Sequence, residues 1–239
     1  MTEPDPLLEL AVNLSRYHRE HEKFYSAEPL EEAVFLQQTS RTLKALAERW
    51  STVEPLAEPP GAPLAGAPDL NDPRATETSG VLFMEGQKEP AEIAGIKEEL
   101  TRRAGAHRQT GEWLEQAMGS AWGMAEALLA YPDLADLLGE RHRIIASDWR
   151  AAWIAQLVAH QLSRARLILE RIDFSPAALR ADLAEARTAP AYMFSASELL
   201  DQAADLLTES AVLVHGNERR WRVFRRRVEQ ITGQEVRET

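Results

Sequence analysis

The chain contains no cysteine. That removes disulfides, thiolate metal ligands, cysteine-held iron–sulfur clusters and cysteine nucleophiles together, and it suits a reducing, cytoplasmic setting. Lysine is scarce: four occur, none after Lys97, against 23 arginines. The net charge is −11, which argues against nucleic acid as a partner because phosphate neutralisation needs clustered cations. No long apolar run is present. The longest, Ile144 to Val158, is interrupted by Asp148 and Arg150 and falls short of the ~20 residues that span a bilayer, so no transmembrane segment is expected. The opening MTEPDPLLEL has neither the basic nor the apolar region of a signal peptide. Gly-rich phosphate loops, the nucleophile elbow, HExxH and kinase signatures are all missing. Strand formers are few as well, whereas Ala, Leu, Glu and Arg, which favour helices, are abundant.

What is present is helical periodicity. From Leu200 the core-type positions Ala203, Leu207, Ser210, Val214, Asn217, Trp221, Phe224, Val228 and Ile231 follow in steps of three and four. That is a continuous heptad seam, which lets a helix bury one narrow face. Leu7, Leu10, Leu14, Tyr17, His21 and Phe24 mark a first helix over 6–25, and Leu36, Thr39, Leu43, Leu46, Trp50 and Val53 a second that opens at Pro29. The short link between them predicts an antiparallel hairpin.

Six prolines between Pro55 and Pro73 then forbid a helix, so 54–89 reads as a Pro-rich linker carrying one apolar island, Val81-Leu82-Phe83-Met84. A third helix is predicted from Pro90 to Ala130, weakened by Gly105, Gly111, Gly119 and Gly123, with a break expected near Gly111. A short helix over Pro132–Leu138 leads to a long one over 140–172, apolar nearly all round and so expected at the centre of a bundle. A further helix is predicted over 176–188, and Ser195 with Glu198 reads as the capping box of the last helix. The expected fold is therefore all-α: six or seven helices in a bundle, with an N-terminal hairpin (1–53), the linker (54–89) and a longer-helix part (90–233). The chain is expected to form one domain over 1–239, since a two-helix unit is too small to hold a core alone.

Three constellations are candidate sites. His18, His21 and Glu22 stand three and four apart on one helix, a spacing that can present imidazole and carboxylate to a divalent metal; on the same stripe, His21 also reads as a hydrogen-bonded core histidine. A ferritin-like centre is excluded, because no acidic residue stands three before any histidine. His107 and His160 lie on inward-reading stripes, and with Trp113, Trp149 and Trp153 they form a possible pocket, with Asp148 nearby. Finally, Arg219, Arg220, Arg222, Arg225, Arg226 and Arg227 surround Trp221 and Phe224. Residues 218–239 hold seven Arg against four Glu, so this tail is +3 and the remainder −14. It is a possible interaction surface or a solvated helix end. With no reaction motif present, the sequence favours a non-enzymatic helical protein acting by association with another protein or a second copy through the last helix, Ser210 and Asn217 fixing its register. The alternative is a metal- or small-molecule-binding bundle that uses a His/carboxylate site.

Overall fold

The structure, a computed structural model, describes residues 5–25, 28–51, 89–174 and 188–233. It is all-helical, with no strand among the described residues. The helices are α1 (Pro6–Tyr25), α2 (Pro29–Ser51), α3 (Ala91–Gly123), the short α4 (Ala125–Ala130), α5 (Leu137–Leu169) and α6 (Thr188–Thr232), with a 3-10 turn at Pro132–Leu134. None is long and apolar enough to cross a membrane. The linker with Val81–Met84, and the helix expected over 176–188, lie outside the described residues.

Local chemistry accounts for the ends. Asp5 caps α1, its Oδ1 accepting the Leu7 N–H at 3.0 Å. Pro29 opens α2, where the missing N–H costs nothing. Tyr131 is extended ahead of Pro132, as a residue before proline prefers. The sequence expectation is corrected at two helix starts. The last helix begins at Thr188, with Pro190 in its first turn; a first-turn proline removes only a donor without an intrahelical partner, so Ser195 and Glu198 are interior residues and cap nothing. The segment Pro132–Leu138 is a 3-10 turn followed by the start of α5.

Nor is there a break at Gly111. Helix α3 runs through it to Gly123. Gly111 serves close approach instead: a Cβ there would lie 2.6 Å from the Gln156 amide nitrogen of α5. Gly123 does the same for α1, its absent Cβ leaving room for Asn13 at 2.9 Å.

Helix α3 packs on α5, α5 on α6, α6 on α2 and α1 on α3. Helices α1 and α2 are not the expected hairpin. They follow one another along α3, both antiparallel to it. Asn13 meets Gly123, Lys23 stands over Trp113 at 5.7 Å, Glu32 pairs with Arg103, and Arg49 pairs with Glu92 at 3.6 Å. The reason is that each apolar stripe has its own long partner: α1 buries Leu10, Leu14 and Tyr17 among α3, α4 and the end of α6, while α2 buries Leu36, Leu43 and Leu46 among α3, α5 and the start of α6. Two apolar clusters result, joined by a small one of Leu114, Ala151, Ala152 and Val214. Truncating a wholly buried leucine such as Leu43 or Leu200 to alanine should cost about 2–5 kcal/mol.

Gly105 and Gly119 sit inside α3, exposed, with nothing within 4 Å of an added Cβ. Gly105→Ala and Gly119→Ala should each stabilise the chain by roughly 0.5–1 kcal/mol in urea unfolding. Unchanged midpoints would show that α3 does not run unbroken through these positions.

Candidate functional site

Where α1 gives way to α2, a buried carboxylate organises three helices. Asp148 of α5 is 2% exposed. Its Oδ2 accepts the Tyr17 hydroxyl at 2.6 Å. Its Oδ1 accepts the Asn217 amide of α6 at 2.6 Å and lies 2.8 Å from His21 Nε2. A carboxylate only accepts, so Nε2 carries the ring proton in this arrangement. The Asn217 amide also reaches the Tyr17 hydroxyl at 3.4 Å. All four side chains are buried, and hydrogen bonds to an ionised acceptor are the stronger kind. Rings close the network from one side: Tyr17 stacks on His21 at 4.9 Å and lies against Trp221 at 4.1 Å, which in turn stacks on Phe224 at 5.6 Å. Asn217 Oδ1 and Trp221 Nε1 are buried with no hydrogen-bond partner among the described residues.

A cleft of about 670 Å³ opens against this network. Its wall includes His21 and Trp221, with Val214 and Leu30 adding apolar surface. Its sides carry charges of both signs. Glu28 and Glu31 stand at the α1–α2 junction, and Arg222 and Arg225 stand on α6. Glu28 holds the Glu31 carboxyl above its ordinary value, first through a hydrogen bond between the two and then by repulsion. Arg222 pairs with Glu218, and Arg225 lies 3.7 Å from Glu229. The junction itself depends on Glu28, which takes the left-handed conformation at φ 36°, an unusual demand on a residue that is not glycine.

The sequence candidates are distributed as follows. His18 and His21 both line the cleft, but the His21 ring is turned onto Asp148, and the Glu22 side chain lies outside the described residues. No group of three or more His, Asp or Glu that could hold a metal occurs among the described residues. The five residues read as a pocket are not gathered into one. Trp149 and Trp153 stand outside α5 at 62% and 45% exposed, and His160 is exposed beyond them. Trp113 is half-buried under Lys23. His107 faces Glu32 at 3.5 Å, and burial, then the neighbouring Arg103, lowers its imidazole to about 4. Of the arginines, Arg219, Arg226 and Arg227 are exposed and Arg220 reaches Glu140 at 4.0 Å, while Arg222 and Arg225 border the cleft. The α6 seam is buried within the chain, Trp221 and Phe224 included, where its neighbours are α1, α2 and α5. The residues that sequence reasoning did not assemble are Tyr17, Asp148 and Asn217 around His21. Polar residues on core stripes were the available signal.

Asp148→Ala should cost about 3–5 kcal/mol in chemical denaturation, because it strands buried donors from three side chains. Tyr17→Phe should cost about 1 kcal/mol, since Asp148 keeps its other donors. Equal costs would mean that the carboxylate does not organise the group. His107 gives a pH signature. The folded imidazole stays neutral down to about 4, whereas an unfolded one protonates near ~6.5. Its contribution is therefore full above pH ~6.5, is lost as pH falls toward 4, and is flat below. Wild type should lose roughly 1–3 kcal/mol more over that window than His107→Gln; parallel pH profiles would refute it.

No family model, curated protein or solved structure matches the chain, so the functional reading rests on this geometry.

Proposed function

We propose that this chain is a helical-bundle protein that binds a small amphipathic zwitterion in the cleft at the α1–α2 junction. The observation that carries the reading is the composition of the cleft: about 670 Å³, with apolar surface from Trp221, Val214 and Leu30 between Glu28 and Glu31 on one wall and Arg222 and Arg225, with Glu218 beside Arg222, on the other. That volume lies within the range of small-molecule sites, roughly 300–1,000 Å³, which pair apolar lining with a few placed polar groups. An ammonium is recognised by Glu28 and Glu31, whose mutual repulsion a cation relieves. A carboxylate or phosphate is recognised by Arg225 and Arg222. The Asp148 network holds the wall rigid beneath the ligand, as a site built on packed helices requires. The shared use of α3, α5 and α6 by both apolar clusters supports reading the whole as one cooperative unit.

The test is isothermal titration of the purified protein with a panel of free aromatic amino acids and aromatic dipeptides. At least one should bind saturably at one site per chain. Leu30→Trp, a change at a half-exposed rim position, should block it, and Arg225→Ala should weaken it about tenfold or more. Absence of binding across the panel, or binding untouched by Leu30→Trp, would sink the proposal.

A further inference from the structure

The outer face of α5 carries a second seam. Ala146, Trp149 and Trp153 are exposed and stand three and four residues apart, the spacing that suits a helix lying alongside; the same register continues through the polar Gln156, His160 and Ser163 to the exposed Leu167. The two tryptophans and Leu167 are 62%, 45% and 54% exposed, whereas the tryptophans Trp50 and Trp221 are buried in the cores. Beside this seam stand Arg143, Arg150 and Arg164 of α5, in one heptad register, and Arg171 in the turn just past the helix's end. Arg150 joins the two rows, its guanidinium 4.7 Å over the Trp153 ring. Arg143 and Arg150 have acidic neighbours at 3.2 and 2.8 Å, Glu140 and Glu209; Arg164 and Arg171 have none among the described residues.

From this juxtaposition we infer that the outer face of α5 docks an acidic amphipathic helix of a partner protein. The partner's apolar residues cover Trp149 and Trp153, and its carboxylates face the arginine row. Charge selects this occupant. The chain is acidic overall, at −11, yet this face presents four arginines beside aromatic surface, of which Glu140 and Glu209 pair with two, an excess of positive charge that favours acid-flanked helices over basic ones. A second copy is a poor occupant, because antiparallel pairing of two α5 helices sets the two arginine rows against each other. The face shares no residue with the cleft, so either proposal can fail without the other.

The probes are two labelled helical peptides of about 28 residues, four heptads, with leucine at the seam positions. One is flanked by glutamate and the other by lysine. Fluorescence anisotropy with the full chain should show the glutamate peptide binding about tenfold or more tightly than the lysine peptide. Arg164→Glu with Arg171→Glu should weaken binding about tenfold. Trp149→Ser with Trp153→Ser, both at exposed positions, should abolish it while the circular dichroism spectrum is unchanged. Equal binding of the two peptides, or no binding of either, overturns the inference. So does a dimer in sedimentation that the tryptophan substitutions dissolve. Peptide binding that emerges only when Val81-Leu82-Phe83-Met84 are replaced by serines also overturns it, in favour of the chain's own segment as occupant.

Discussion

A single buried carboxylate ties the distant parts of this chain together. Asp148 lies 131 residues from Tyr17, 127 from His21 and 69 from Asn217 in sequence, and it hydrogen-bonds to all three. Apolar packing alone leaves helices free to rotate and slide, because leucine against alanine is tolerant of register. A carboxylate in the interior is not tolerant. It must find donors, and every donor must lie on a helix turned to the right angle. The network therefore fixes the rotation of α1, α5 and α6 together. Stability is the weaker explanation for it, since an apolar replacement of matching shape is often neutral or better. What the network provides that leucines cannot is one defined arrangement at the level where α1 ends.

That level is also where the apolar packing thins. Two large clusters lie on either side of it, and among the described residues a small group of Leu114, Ala151, Ala152 and Val214, with Met118 against it, joins them. An unbroken helix in place of α1 and α2 would fill the same edge without a gap. The chain instead breaks at Glu28 with a positive φ, at a conformational cost of about 1 kcal/mol or more for a residue with a side chain. Break and cleft occur together: the first turn of α2 and the last turns of α1 form one wall and α6 the other. Locating a cavity beside a rigid polar network, and not within either apolar cluster, allows it to stay open without loosening the cores.

Much of the helix plan was legible in the sequence because the stripes of α1, α2, α3 and α6 are long and regular. Some readings failed for identifiable physical reasons. Two helices joined by a short link can double back or continue, and amphipathic stripes are the same in both cases; the partner of each stripe decides, and that is a tertiary fact. A capping box needs a free helix start, and Ser195 does not have one because α6 had already begun around Pro190. The sequence groups Trp149 and Trp153 with His107 and His160 in a pocket, but a helix that already faces α3 and α6 has a side left over, and the tryptophans occupy it.

The polar residues follow a different logic. Asn217 and His21 were visible as polar interruptions of apolar stripes, and Asp148 as an acid inside an apolar run. Each by itself reads as a register device or a satisfied core residue. Their meaning depends on convergence, which a few tens of degrees of helix rotation create or destroy, and no spacing within one helix encodes that rotation. The same limit applies to the outer face of α5. Its tryptophans and arginines are evident in the sequence, but only the packing of α3 and α6 on the other sides of the helix shows that this face has no helical neighbour among the described residues. An all-helical chain without a reaction motif thus keeps its most specific information in two places: polar atoms that must be paired inside, and apolar rings left exposed outside beside a group of arginines.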